Sequence, residues 1–313
     1  MLERRLITLG AVAMAMIVLF MSVNVRGDLL FAMELRSVRL IALLLVSVSV
    51  ALSTLVFQTI TANRILTPSI MGMDALYILL QTALVFSLGG LGYSVLNPGT
   101  KFAVEVVLMA GLALVLFLPL LRYANALVLM LLGGIVLGVL FRSLSSLLAR
   151  MIDPNDFAVV QNVSYANFNT VNTDLLLPGC VLALTALIIC WRSRHTLDVV
   201  LLGKPTAIGL GVNWRVFAVL MLVLVGALVA VSTALVGPVT FLGLLVVALG
   251  RKLAGTSRHG QTIIASCLVS IILLVGGQTL LSHGFGNALP LGVLIEFVGG
   301  IAFIVILFHR RQW

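Results

Sequence analysis

Charge is what this sequence has least of. Its 313 residues include ten acidic and 19 basic side chains, 9% of the chain, against 61% hydrophobic residues and a mean hydropathy of +1.23. A soluble domain with that balance could not cover its surface with polar groups. Cysteine is scarce too. Cys180, Cys190 and Cys267 all fall inside apolar runs, at spacings that suit neither a disulfide framework nor a thiolate metal site, and they read as small packed hydrophobes. The four histidines, His195, His259, His283 and His309, stand at loop or end positions, none spaced with another ligand type. No metal or cofactor held by the chain is expected. A Walker A loop is also missing: Gly203-Lys204 is followed by Pro205, and Asp198 holds the place of that loop's first glycine. Gly209-Leu210-Gly211 reads as a turn rather than a nucleotide loop. Nucleotide hydrolysis by this chain is not expected, and no enzymatic constellation is visible.

What the sequence has in abundance is long apolar runs. They lie at 6–23, 39–60, 75–96, 102–121, 126–148, 175–191, 215–235, 239–250, 262–281 and 291–308, and they predict an all-α polytopic membrane protein of about ten spans. The first run follows Glu3-Arg4-Arg5 and resembles a signal peptide, but no small-x-small cleavage pattern follows it, so a retained span is expected. With the N-terminus placed in the cytoplasm, six basic residues fall outside: Arg26, Arg36, Arg39, Lys101, Arg142 and Arg150. The remaining 13 of the 19 fall inside, which fits cytoplasmic N- and C-termini and explains the +9 net charge without nucleic acid. The expected organisation is one transmembrane domain over residues 1–313.

Three stretches interrupt this pattern. Residues 149–174 form an Asn-rich outer loop with Tyr165 and Phe168. Residues 191–215 form an inner loop that mixes basic and apolar residues, as short helices at a membrane surface do. The third is "VGPVTFLGLLVVALGRKLAG" at 236–255, where about 12 residues separate Pro238 from Arg251-Lys252 and a full span needs roughly 20. Gly237 and Pro238 suit an irregular backbone packed inside a bundle. A plain short helix with proline in its first turn is the alternative.

The same segment carries a resemblance. "GPVTFLGLLV" at 237–246 resembles the Gly-Pro-x-x-Phe-x-Gly-Leu signature of the FecCD family of permeases. "STLVFQ" at 53–58, "NRILTPSIMG" at 63–72, "LGKPTAIGLGV" at 202–212 and "LPLGV" at 289–293 resemble further family motifs, in the family's order. Phrases such as "FRSLSS" and "IEFVGG" resemble the second permease of importers for catecholate-type siderophores. Val247 and Ala248 depart from the family's Pro-His, and Arg64 from its loop proline.

The resemblance implies a ten-span permease of an ATP-binding-cassette importer in the bacterial inner membrane. It implies cytoplasmic ATP-binding subunits, a second permease subunit, the same or different, and a periplasmic or lipid-anchored substrate-binding protein. The implied cargo is a ferric siderophore, with haem or cobalamin as alternatives. An ion-coupled secondary transporter is the rival class; its ionisable candidates at membrane depth are Glu105, Arg142 and Glu296. Site roles follow from the resemblance. Lys204, Pro205, Gly209 and Gly211 belong to a loop that couples to the ATPase. Arg142, Glu296, Gly237 and Pro238 belong to the translocation pathway, unless Arg142 snorkels to the outer surface. Arg36 and Arg39, three apart on one helix face, with His283, would receive carboxylates of the binding protein. The alternative for the two arginines is pairing with Glu34 or lipid phosphates.

Overall fold

A computed structural model describes residues 2–23, 29–122, 127–284 and 290–308. The described residues form thirteen α-helices and one 3-10 turn (Thr173–Leu175), with no strand. In chain order they are α1 (Leu2–Ser22), α2 (Leu29–Ile60), α3 (Met73–Val95), α4 (Pro98–Arg122), α5 (Leu127–Ala149) and α6 (Pro154–Ser164). Then follow α7 (Leu176–Arg192), α8 (Arg194–Val200), α9 (Lys204–Gly209), α10 (Trp214–Val236), α11 (Leu242–Ala254), α12 (His259–Gly284) and α13 (Leu291–Phe308). Each of the ten apolar runs falls on one helix. Eight of these, α1 to α5, α7, α10 and α12, are long and apolar enough to cross a membrane, so the chain is a multi-pass membrane protein. α11 has only 13 residues, about 20 Å of helix against a hydrocarbon core of roughly 30 Å. α13 is an apolar helix of 18 residues.

The packing centres on α2 and α10. Ala42, Leu43, Val46 and Phe57 of α2 and Met221, Leu222, Val225 and Val231 of α10 are fully buried. Phe57 meets Phe117 of α4 edge to face, with ring centroids 5.1 Å apart. Helices in lipid gain little from the hydrophobic effect and associate through close backbone approach at small residues. Gly226 of α10 does this against α4: a Cβ there would sit 2.6 Å from the Cα of Ala110. α1 and α5 leave most of their apolar faces outward, as lipid-facing helices do.

Two segments depart from helix inside the bundle. Between α2 and α3, residues 61–72 run irregularly with Leu66, Thr67 and Met71 buried. Between α10 and α11, Gly237 turns the chain at φ 96° and the next helix begins only at Leu242. Pro238 therefore lies before α11 and not in its first turn, which corrects the plain-helix alternative. α11 is packed within the bundle: Gly243 abuts Thr54 of α2, and Gly250 abuts Ser266 of α12. α3 departs from expectation in another way. It is broken at Gly89 (φ 69°), where the chain passes Asp156 of α6. The 149–174 segment also contains a helix not foreseen, α6, started by Asp153, whose carboxylate accepts from the Asn155 N–H at 2.9 Å, with Pro154 in its first turn.

The α4–α10 contact gives a direct test. Gly226→Leu should lower the thermal unfolding midpoint of the detergent-solubilised protein, through overpacking of about 1–3 kcal/mol. Gly111→Leu, on the open face of α4 where nothing lies within 4 Å, should leave the midpoint unchanged.

Candidate functional site

The C-terminal half of α5 carries a polar stripe. Val139, Arg142, Ser143, Ser146, Leu147 and Arg150 line one shallow groove. Their spacing of three and four puts them on a single helix face. All six are exposed on the chain's surface, while Ser145 on the opposite side is buried. Two arginines and two serines on the outside of a membrane helix suit water or a partner protein rather than lipid. Arg142 bends back along its own helix, its Nε donating to the Gly138 carbonyl at 3.3 Å.

Glu296 lies on the exposed face of α13, beside Phe297. It approaches the hydroxyl of Thr240, in the irregular segment before α11. That hydroxyl donates to Oδ2 of Asp74 at 3.0 Å. Asp74 is buried in the first turn of α3, and its Oδ1 has no hydrogen-bond partner among the described residues. Both Glu296 and Arg142 are within electrostatic range of Asp74. The described ion pairs do not include one between Arg142 and Glu296. Asp74 and Thr240 link their surroundings instead. Gly237 and Pro238 hold the bend that carries Thr240. A Cβ on Gly237 would meet the carbonyl oxygen of Tyr165 at 3.0 Å. Gly72, at φ 97° just before α3, abuts Gly138 on α5 and so brings Asp74 towards the striped helix.

Glu105 has a different setting. Its carboxylate accepts from Gln81 Nε2 at 2.6 Å and lies 3.9 Å from Lys101 Nζ. Gln81 in turn accepts from the Tyr93 hydroxyl at 2.8 Å, and Lys101 donates to Tyr93 and lies over its ring. This is a closed network that ties the kinked end of α3 to α4.

Near the N-terminus of α2, Arg36 caps α1. Its Nη1 donates to the carbonyls of Phe20, Met21 and Val23 at 2.9, 3.1 and 2.9 Å, a cation satisfying a helix C-terminus. Nε of Arg39 is buried without a hydrogen-bond partner among the described residues. His283 belongs to the last turn of α12, and its side chain lies outside the described residues. At the other end of the bundle, α8 and α9 are the short helices expected at 191–215. Pro205 occupies the first turn of α9, and Gly211 reverses the chain after it at φ 86°. Leu197, Val200 and Ala207 anchor the pair inward, while Leu202, Ile208 and Leu210 are exposed. Gly209 faces open space and Lys204 opens α9.

The sequence pattern did not single out Asp74, Thr240, Ser143, Ser146 or Arg150. Asp74 falls one residue before the third apolar run, and Arg150 just after the fifth. Their register on α5 was readable: Arg142, Ser143, Ser146 and Arg150 follow helical spacing.

A match to the FecCD transport family extends over residues 6–309. The chain belongs to the FecCD transport family. It is a transport component rather than an enzyme. It is 42% identical over 289 residues to the petrobactin import system permease protein YclO of Bacillus subtilis, covering 92% of each chain. It is 33% identical over 281 residues to the petrobactin import system permease protein FatC of Bacillus anthracis, covering 88% of this chain and 78% of that one. It shares its fold with a metal-chelate-type ABC transporter solved in an inward-facing conformation, at a TM-score of 0.84 and 22% identity over 99% of this chain and 100% of the other.

Thr240 is the joint of this FecCD chain's polar site, and its hydroxyl can be removed selectively. Thr240→Val removes the hydroxyl donor from Oδ2 of a buried carboxylate. It should reduce stability by about 1 kcal/mol in thermal unfolding, whereas Thr240→Ser should match the parent.

Proposed function

We propose that this chain is the membrane-spanning permease subunit of an ATP-driven importer for a ferric siderophore, in the bacterial inner membrane. The observation that carries the reading is the end-to-end likeness, at 42% identity, to a petrobactin permease. The vitamin B12 import permease BtuC of Citrobacter koseri is more distant, at 28% over a similar length, which favours a siderophore over cobalamin. Of the ionisable candidates for a secondary transporter, Glu105 is engaged by Gln81 and Lys101.

In this reading residues 1–313 form one permease domain of ten spans with both termini cytoplasmic. α13, an apolar helix of 18 residues, is long enough to cross, and α11, with 13, is a short span packed inside the bundle. A second permease subunit, the same or different, packs beside it, and the polar stripe of α5 and Glu296 on α13 face the pathway between them. Gly237 and Pro238 shape that wall. The arginines suit a ferric complex that carries carboxylate or catecholate charge. Cytoplasmic ATP-binding subunits seat on the exposed apolar side chains of α8 and α9, with Lys204, Pro205, Gly209 and Gly211 setting the shape of that contact. A periplasmic or lipid-anchored substrate-binding protein docks at the opposite end. Arg39 and His283 are its contacts there, and Arg36 joins them while holding α1 in place.

The test is uptake into proteoliposomes holding the permease with its ATPase and binding protein, with ferric petrobactin as probe cargo. Uptake should require ATP and should persist when ion gradients are collapsed. Arg39→Glu should slow capture of the loaded binding protein most at low ionic strength, since such contacts act through steering that salt screens. Uptake that follows an ion gradient and ignores ATP would contradict the reading.

A further inference from the structure

The inner helix α8 is tied to the membrane helices by a buried polar chain that the pathway does not use. Asp198 lies in α8 and His259 is the first residue of α12. Oδ1 of Asp198 accepts from the backbone N–H of His259 at 2.7 Å and lies 2.7 Å from its ring Nδ1. The other ring nitrogen, Nε2, lies 2.8 Å from the hydroxyl oxygen of Thr59, in the last turn of α2. His259 and Thr59 are fully buried, while the Asp198 side chain keeps 31% exposure at the inner surface.

The hydrogen inventory fixes the direction of the first link. A carboxylate only accepts, so Nδ1 carries the proton and donates to Asp198. The Thr59 hydroxyl also lies 2.8 Å from the Leu55 carbonyl. It either donates there and accepts from a protonated Nε2, or donates to a bare Nε2. The chain Asp198–His259–Thr59 is intact in both arrangements. Asp198 also supplies an acceptor for the first N–H of α12, which has no partner in its own helix.

The covalent continuations of the inner loop run only into α7 and α10. Leu197 and Val200 hold α8 against the bundle by apolar burial, which resists separation but has no preferred direction. The Asp198–His259–Thr59 chain is directional. It reaches two helices, α2 and α12, that are remote from α8 in sequence. α2 and α12 both pack on α11, the helix that follows Thr240.

We propose that Asp198 and His259 are positioning residues through which movement of α8 is passed to α2 and α12. This rests on the reading of the chain as an ATP-driven permease whose ATPase seats on α8 and α9. The link converts a displacement at the inner surface into a displacement of the helices behind the polar site.

The test measures ATP hydrolysed and ferric petrobactin imported by the same reconstituted complex of permease, ATPase and binding protein. Asp198→Ala and His259→Ala should leave assembly and ATP hydrolysis near the parent level. Uptake per ATP should fall roughly tenfold, as expected from removing the acceptor that holds both the His259 ring and its backbone N–H. Asp198→Asn keeps an acceptor oxygen for both donors and should restore most of the coupling. A parent-like uptake-to-hydrolysis ratio in Asp198→Ala would overturn the inference. So would a parallel loss of assembly, hydrolysis and uptake, or an Asp198→Asn variant as poor as the alanine. If the parent complex itself showed no ATP-dependent uptake, the functional reading would fail, and the inference with it.

Discussion

Inside a bilayer each backbone N–H and C=O needs a partner from the protein, and each break in a helix has to be covered. This chain breaks helix at 61–72 and at 237–241, and the polar site forms where the two breaks meet. The first is satisfied locally: Asn63 Oδ1 accepts from the Ile65 N–H at 3.0 Å, and the Thr67 hydroxyl from the Ile70 N–H at 3.2 Å. The second borrows from outside. The Val236 carbonyl accepts from the Asn167 N–H of the outer segment at 2.7 Å, and the Gly237 N–H reaches back to Thr233. Covering these breaks draws Gly138 of α5 onto Gly72 and the Tyr165–Ala166 backbone onto Gly237. Asp74, in the helical turn that follows the first break, and Thr240, inside the second, then come within hydrogen-bonding distance at a point flanked by the exposed faces of α5 and α13.

Much of this architecture is legible in the sequence because it is written in local composition. Ten apolar runs mark ten helices. The proline, the glycines and the short reach to Arg251-Lys252 mark the break before α11, and the mixed inner loop marks α8 and α9. Other features are not local. Gly89 and Gly90 look like ordinary small residues of an apolar run until Asp156 is placed beside them. Arg36 and Arg39 look equivalent on one helix face, yet one caps α1 and the other does not, because the α1 carbonyls come from a different part of the chain. The Asp74–Thr240 bond joins residues 166 apart. His259 reads as a scattered loop histidine until Asp198 and Thr59 close on both its ring nitrogens.

The two ends of the molecule meet through this core. α8 and α9 present exposed apolar side chains at one end, and Arg36 and Arg39 mark the other. Between them runs α2, which meets α10 and α7 by packing, α11 through Thr54 and Gly243, and His259 through Thr59. Tight glycine crossings leave α2, α10 and α11 little room for independent adjustment. A shift at one end is therefore carried as a shift of whole helices.

The central claim is that the stripe on α5 faces a wet pathway and not lipid. Thiol accessibility in membranes tests it, in a permease complex whose three native cysteines have been replaced. Ser146→Cys should react rapidly with a membrane-impermeant thiol reagent, and the reaction should abolish uptake of ferric petrobactin. Gly111→Cys, on the outward face of α4, should react slowly. A Ser146→Cys side chain as unreactive as Gly111→Cys, in the presence and absence of ATP, would contradict the account.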